Sequence, residues 1–556
     1  MLPETSAQLL SLASDHKKTW LVRNEKFKEW YKLLILDDSD IKQADMECVI
    51  SNDPKTFYKK ALRLLTTSIS HSIPTDNMSQ PEMIDTTVIV KFLESQWEKK
   101  ARGSRRRGGQ SWLAEMVSFL LVTGWYDVLT YADEIDGCVA AVRNPAECYP
   151  MFSTDWDGGL QSHFHIYNLN YDLAMSRCTH HGWSPLAIKR NRYSMLTVHD
   201  YWCMDFGQVY NTVMMDNQIV KPLTLHPQFD EIPILSGIAS GMPDKGSIMP
   251  YDIDWSARVG ESIIADNASI YTNYNKMLSF VQQIIRDVAQ PKMKERSESD
   301  TPILNPDTMF KRGAIFRMGV NEDVEPVSTP PLPVELSLHG RDLEGMIQRG
   351  SFPWSMYGSL STSLTAYSMS QVTAAAQEIL ADYADAIKYI LSEVDNTWIA
   401  QMRTGRLRID GFMISPLYPL FLRAKVDVAV SVPGDFMQRA TLSRMLSPDF
   451  RFSTRTVMEL MWNEIKDPEL EMASTRADMA LQHPVAISIN LISAWRQQAA
   501  ILREVGDIDT ANLFDRAATM IESQLGPIVR QPSEQLPRRE LAMAEESRQP
   551  TALIGS

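Results

Sequence analysis

Two long stretches of the chain repeat apolar or aromatic residues every three to four positions, and a polar, proline-studded segment separates them. The first covers 258–288 and places Ile263, Ile264, Tyr271, Tyr274, Met277, Leu278, Val281, Ile284, Ile285 and Val288 at helical spacing, with Pro291 closing it. The second covers 370–403 and carries Val372, Ala376, Ile379, Leu380, Tyr383, Ile387, Ile390, Val394 and Trp398. Each is the pattern of a helix with one buried stripe. At 1.5 Å per residue the first helix would be about 45 Å long. That length suggests an element crossing a boundary between domains or subunits. A monomer is expected to have trouble burying both stripes, and ring or bundle formation would solve this.

The rest of the chain alternates between helical and strand-like patterns. Residues 6–65 read as helix, with a stripe of Phe27, Trp30, Tyr31, Leu34 and Ile35, and with Asn52, Asp53 and Pro54 marking a helix start. Pro74 and Pro81 make 70–83 a loop, and helix returns over 87–98. A basic loop is expected over 99–110, where Lys99, Lys100, Arg102, Arg105, Arg106 and Arg107 stand among glycines. It fits contact with phosphate or an acidic partner; the commoner role of such a run is a solvated surface loop. A helix over 111–123 closes at Gly124.

From 126 to 220 the period becomes two, with strands predicted over 138–142, 162–169, 194–204 and 209–215. Asp216-Asn217 is a tight hairpin candidate and Asp157-Gly158-Gly159 another turn, so an antiparallel sheet is expected. Residues 235–250 form an irregular link. The insert 291–333 holds six prolines after Pro291 and two strand-like pieces, 314–318 and 324–327. It reads as a small appendage at the tip of a helical hairpin. A short helix over 334–349 leads into a loop at 350–365 rich in small hydroxyl residues and aromatics. Residues 406–432 return to strand, three or four helices follow over 435–524, and 526–556 carries no stripe and reads as a disordered tail. The fold class predicted is α+β, mostly helical with an antiparallel sheet.

Size and charge narrow the function. A chain of 556 residues is too long for one hydrophobic core and is expected to form two to four domains. The formal net charge of −14 argues against a tight grip on nucleic acid by the whole chain, since phosphate neutralisation supplies most of that affinity. It suits a protein past which DNA must slide, and equally one that only needs to stay soluble. Cys48, Cys138, Cys148, Cys178 and Cys203 are few and scattered, as in a reducing compartment. Neither a secretory leader nor a membrane span is expected.

Chemistry is faint. There is no phosphate-binding G-x-x-x-x-G-K-[ST], no dinucleotide fingerprint, no H-E-x-x-H and no G-x-S-x-G. His163, His165, Cys178, His180 and His181, with His199 and Cys203 beyond, lack the paired spacing of a zinc site and are better explained as sheet residues. Asp155/Asp157, Asp252/Asp254 and Asp382/Asp385 are better explained by capping and solvation than by catalysis. The 352–364 loop could stack on bases or merely connect helices. No catalytic residue, metal or cofactor is expected, and the chain is read as a non-enzyme.

A family likeness rests on the order of segments and on several short strings. These are Ser51-Asn52-Asp53-Pro54 before Ala61-Leu62-Arg63-Leu64-Leu65; Arg143-Asn144-Pro145-Ala146-Glu147-Cys148-Tyr149-Pro150; Arg258-Val259-Gly260-Glu261-Ser262; and Gly358-Ser359-Leu360-Ser361-Thr362-Ser363-Leu364-Thr365-Ala366. In this order the chain resembles the portal, or head-to-tail connector, proteins of tailed bacteriophages over about 27–522. The resemblance implies a wing (1–255), a stem helix (256–290), a clip (291–333), a second stem helix (334–349), a channel loop (350–365), a long helix with the wing's return (366–434), a crown (435–525) and the tail. It implies a ring, usually of twelve subunits, at one capsid vertex, with double-stranded DNA passing through non-specifically.

Implied partners are the large terminase, a tail adaptor, and capsid and scaffolding proteins, with no membrane; the location is the virion, assembled in host cytoplasm. Implied site residues are Phe352, Trp354, Met356, Tyr357, Ser359 and Ser361 on the channel loop. Glu335, Asp342 and Glu344 would line the channel, and Lys292, Lys294, Lys311 and Arg312 would meet clip partners. Arg105, Arg106 and Arg107 match no family motif, and contact with capsid or scaffold is their assigned role. The alternatives are an oligomeric virion or tail scaffold without a DNA channel and, third, a metal-dependent enzyme using His163 and His165.

Overall fold

The computed structural model describes residues 2–42, 48–74, 80–106, 108–153, 159–187, 191–241, 260–289, 291–296, 318–327, 333–357, 366–403, 407–416, 418–419, 422–429, 443, 453–461, 468–505 and 507–524. They belong to two compact units, Met1–Gln438 and Arg439–Ser556. The fold is α+β, with helices packed on antiparallel sheets.

The first unit opens with helices α1 (Ser6–Thr19), α2 (Leu21–Ile35), α3 (Ser39–Lys42) and α4 (Asp53–Leu65). Thr5 starts α1 through a reciprocal cap with Gln8, and Pro54 stands in the first turn of α4. Leu9, Trp20, Phe27, Trp30, Leu34, Phe57 and Leu65 are buried; Tyr31 and Ile35, also expected in the stripe, are exposed.

Helix α5 (Gln80–Arg106) and helix α6 (Trp112–Thr123) follow. Two expectations fail here. The basic stretch from Lys99 to Arg106 is helix, not loop: Lys and Arg are good helix formers, Arg102 pairs with Glu98 one turn back, and a lone glycine does not outweigh them. The supposed loop after residue 70 begins as strand β1 (Ser68–Ser72), paired with β12 (Lys425–Ala429). The predicted return to strand near 426 is present.

The period-two region folds as two antiparallel sheets. One has the order β3 (Gly137–Val142), β2 (Trp125–Asp133), β9 (Ile234–Ile238). The other runs in sequence order through β4 (Cys148–Phe152), β5 (Leu160–Asn170), β6 (Met195–Asp205), β7 (Gln208–Met215) and β8 (Gln218–Leu225). The Asp216-Asn217 hairpin is present, with φ of +49° and +68°, the left-handed pair a type I′ turn requires. Inside this region the sequence reading missed helix α7 (Tyr171–His181), which Asn170 caps at its start and left-handed Gly182 closes.

The first long stripe becomes helix only from Ala268, not from 258. Residues 260–264 are not helical and a single tight turn, Ala265–Asn267, leads into α8 (Ala268–Ala289). At 22 residues α8 is about 33 Å long, not 45 Å. Strands β10 (Met293–Arg296) and β11 (Asp323–Pro326) form a two-stranded hairpin beyond it, and α9 (Val334–Arg349) returns. The expected strand at 324–327 is β11; the one at 314–318 falls, but for its last residue, outside the described residues.

The second stripe lies on α10 (Ala366–Met402). It needs no second subunit: Ala376, Leu380, Ile387, Ile390, Val394 and Trp398 are buried within this unit, where α10 packs on α4, α6, β2 and β12. Burial of an apolar side chain this size contributes about 1.5–3 kcal/mol.

In the second unit, α11 (Thr454–Met461) and α12 (Pro468–Gln482) precede a hairpin of α13 (Pro484–Val505) and α14 (Ile508–Gln524). Arg496 with Glu522 and Arg503 with Asp515 pair across it, which fixes an antiparallel arrangement, and Ala499, Ala511 and Ala518 are buried. The tail 526–556 lies outside the described residues.

Candidate functional site

Five of the residues singled out on the sequence, Lys292, Lys294, Glu335, Asp342 and Glu344, fall on the arm formed by α8, the β10–β11 hairpin and α9. Its root is tied to the body. Val49 N donates to Ser279 Oγ (3.1 Å), Ser279 Oγ donates to Val49 O (3.2 Å), and Ser51 N donates to Asn275 Oδ1 (2.9 Å). Asn267 Nδ2 donates to Ile347 O (2.8 Å), and Gly350 leaves no room for a Cβ beside Asn267. Tyr271, Tyr274, Leu343 and Ile347 form the buried side. Phe280, Ile285 and Val288 on α8 and Val334, Leu338 and Met346 on α9 are exposed, Val334 by 69%. The sequence reading had Ile285 and Val288 in its stripe but missed Phe280 and the α9 residues, because they sit off the period of the buried face.

The expected channel residues do not share one setting. Phe352 is fully buried, packed edge-on against Phe57 with ring centroids 4.8 Å apart; it is an anchor of the core, not a free aromatic. Met356 packs against the same core, and Tyr357 is half-buried with Lys60 Nζ 5.0 Å from its ring centre. Burial pushes the Tyr357 hydroxyl well above its usual pKa. Trp354 begins a single tight turn ending at Tyr357; its side chain, Ser359 and Ser361 lie outside the described residues. Glu335 and Asp342 are exposed on α9. Glu344 is exposed as well, and accepts the Tyr274 hydroxyl on Oε1 at 2.7 Å, joining α8 to α9. Lys294 pairs with Glu325 across the hairpin (2.6 Å), and Lys292 O accepts from Val327 N. Arg105 and Arg106 end α5; Lys311, Arg312 and Arg107 lie outside the described residues.

The histidine and cysteine set is divided by the fold. His163 Nε2 lies 2.6 Å from Asp127 Oδ2, both side chains fully buried. Arg143 pairs with Asp200 nearby (2.8 Å), and Arg23 donates to the carbonyls of Pro145 and Cys148. Asp127, Cys148 and His163 are close enough to invite a metal, but the setting opposes one. The Asp127–His163 contact is already a hydrogen bond, burial holds the Cys148 thiol protonated with its pKa raised well above normal, and two guanidinium groups would repel a cation. Cys178 belongs to a small core with Leu196 and Val198, and Cys203 to the main one. His165 stacks on Tyr167, and His180 and His181 end α7. The carboxylate pairs are likewise engaged: Asp382 accepts from Ser240 Oγ and Asp385 pairs with Lys388, while 155, 157, 252 and 254 lie outside the described residues.

His199 of that set, and His226 just after β8, are held neutral. Burial pushes His199 down to about 4, with Lys17 adding to it, and burial followed by Lys221 does the same to His226, from an ordinary 6.5. The unfolded chain takes up those protons first, so the stability they contribute is complete above pH 6.5 and is lost as pH falls toward 4. Thermal unfolding followed by circular dichroism should show a lower midpoint at pH 5 than at pH 7.5, and His199→Leu should flatten that dependence.

What the described residues define is an α+β fold carrying a helical arm with exposed apolar side chains. No family model matches the chain, and no curated protein does. Among solved structures it is similar to a chain in the neck of an empty gene transfer agent particle computed with C6 symmetry, at a TM-score of 0.39 and 11% identity, covering 74% of this chain and 90% of that one. It is also similar to a chain in the virion of a native gene transfer agent particle, at a TM-score of 0.38 and 12% identity, covering 73% and 89%.

Proposed function

We propose that this protein is a ring-forming connector between head and tail of a phage-like particle, of the portal type. In this reading it occupies one capsid vertex, conducts DNA during packaging and ejection, and docks first the large terminase and then a tail adaptor. The observation that carries the proposal is the arm: its root is hydrogen-bonded to the segment just before α4, while Phe280, Ile285, Val288, Val334, Leu338 and Met346 present apolar side chains along both of its helices. Exposed apolar side chains spread along both helices are surface that a contact with another chain would cover. Identical arms packing side by side in a closed ring would cover it.

Other features take roles within that reading. Glu335 and Asp342 face away from the buried side of α9 and would repel phosphate in a channel, letting DNA slide. Lys292 and Lys294, with Lys311 and Arg312, would meet a partner at the tip. The short turn at 354–357 would stand near the DNA path. A second reading, an oligomeric scaffold without a DNA channel, is favoured by one observation: burial of Phe352 and partial burial of Tyr357 remove two aromatics from the set expected to meet DNA.

Light scattering on the purified full-length chain tests the assembly step. The mass should be many times that of one chain. Ile285→Asp combined with Leu338→Asp should reduce it to that of a monomer with an unchanged circular dichroism spectrum. A wild-type chain that stays monomeric across the concentration range contradicts the proposal.

A further inference from the structure

A second trio of ligand-bearing side chains lies far along the sequence from the arm, where the turn between β2 and β3 meets the end of α7. Asp136 Oδ1 lies 3.2 Å from His180 Nε2, and one ligand atom each of Asp136, His180 and His181 all lie within 4.8 Å of one another. A tetrahedral ion with bonds of 2.0–2.1 Å separates its ligands by about 3.3 Å. The carboxylate and imidazole therefore already stand at that spacing, and the third ligand atom lies within 4.8 Å of both.

The surroundings favour a cation. Tyr131 donates its hydroxyl to Asp136 Oδ2 at 3.0 Å, and Asp136 N is held by Asp133 Oδ1 at 2.6 Å. The carboxylate is thus oriented through Oδ2, the usual support behind a metal ligand, while Oδ1 meets His180 Nε2 in a hydrogen bond that an ion would have to replace. His180 and His181 occupy the last turn of an 11-residue helix, whose carbonyl end attracts positive charge. The His181 ring stacks on Trp183 with centroids 4.9 Å apart, which fixes its plane. Arg177, one turn back, is engaged by the hydroxyl and ring of Tyr167.

We propose that Asp136, His180 and His181 bind one divalent transition-metal ion of the imidazole-preferring class, zinc being the reference, with water filling the remaining positions. Two imidazoles and one carboxylate suit zinc, cobalt or nickel and not magnesium or calcium. The ion would fasten the β2–β3 turn to the end of α7.

The test uses the full-length chain, stripped with a chelator and titrated with zinc, cobalt or magnesium chloride. One zinc per chain should bind, magnesium should not, and excess zinc should raise the melting temperature. His180→Ala with His181→Ala should abolish binding and the rise; Asp136→Asn, a conservative change, should weaken binding at least tenfold. Tyr131→Phe should weaken it about tenfold through the lost support. The cobalt spectrum should lack a sulfur-to-metal band. A chain that binds no zinc, unaltered affinity in the histidine double variant, or a strong sulfur-to-metal band that places the ion at Cys148 would each overturn the proposal.

Discussion

Gly124→Ala should cost more than about 4 kcal/mol, a loss that single substitutions rarely reach. Gly124 closes α6 at φ +66°, and a Cβ there would stand 2.4 Å from both the nitrogen and the oxygen of Glu261. The obstacle is backbone, and it is itself bonded in place. Ile263 N and Ser262 Oγ both donate to Leu121 O at 3.0 Å, Glu261 N donates to Ser240 O at 2.9 Å, and Ala239 N donates to Gly124 O at 2.8 Å. The segment 260–263 thus crosses directly over the end of α6, and Gly260 is the partner in that crossing: a Cβ on it would lie 2.3 Å from Gly124 O. Gly182 is the control. It closes α7 at the same φ of +66° but has nothing within 4 Å of its Cβ position, so Gly182→Ala should cost only about 1–2 kcal/mol. Urea unfolding of the two variants compares them directly. Equal losses would mean the crossing does not constrain the fold.

Asp127→Ala should destabilise the first unit by about 3–5 kcal/mol, the cost of leaving a buried charge without its partner. Asp127 is fully buried; burial alone would raise its pKa, but His163 and Arg143 more than offset this and hold it below the ordinary value. Removing the carboxylate strands the His163 ring inside the protein. Asp127→Leu together with His163→Leu should recover part of the loss, because the double change removes both polar groups. A double-mutant cycle by urea unfolding measures the coupling. Coupling within about 0.5 kcal/mol of zero would show that the pair acts independently of its partner.

Where local pattern and punctuation agreed, the sequence was readable. Helix α9 spans Val334–Arg349 as expected because Pro333 precedes it and Gly350 follows. The Asp216-Asn217 turn followed from two residues that tolerate left-handed backbone. Where long-range packing decides, the sequence was silent. Strand β1 reads Ser-Ile-Ser-His-Ser, with almost no apolar alternation, and becomes a strand because it meets β12 more than 350 positions later. The stripe of α10 was legible as a stripe, but whether one chain or two would cover it depended on the walls supplied by α4, α6, β2 and β12. Phe352 looked like a loop aromatic because the core it packs into, Phe57 included, comes from far away in the chain. Helix α7 was marked by Asn170 and Gly182, cues masked by the strands around it. Missing α7 also hid the Asp136 trio, since adjacent histidines on a strand point apart whereas on a final helical turn both can reach one carboxylate.

The central claim is that apolar arms close into a ring around a passage for DNA. Negative-stain imaging of the purified full-length chain tests it most directly. Annular particles of uniform diameter with a stain-filled central opening are expected. Single small particles, or assemblies without an opening, would contradict it.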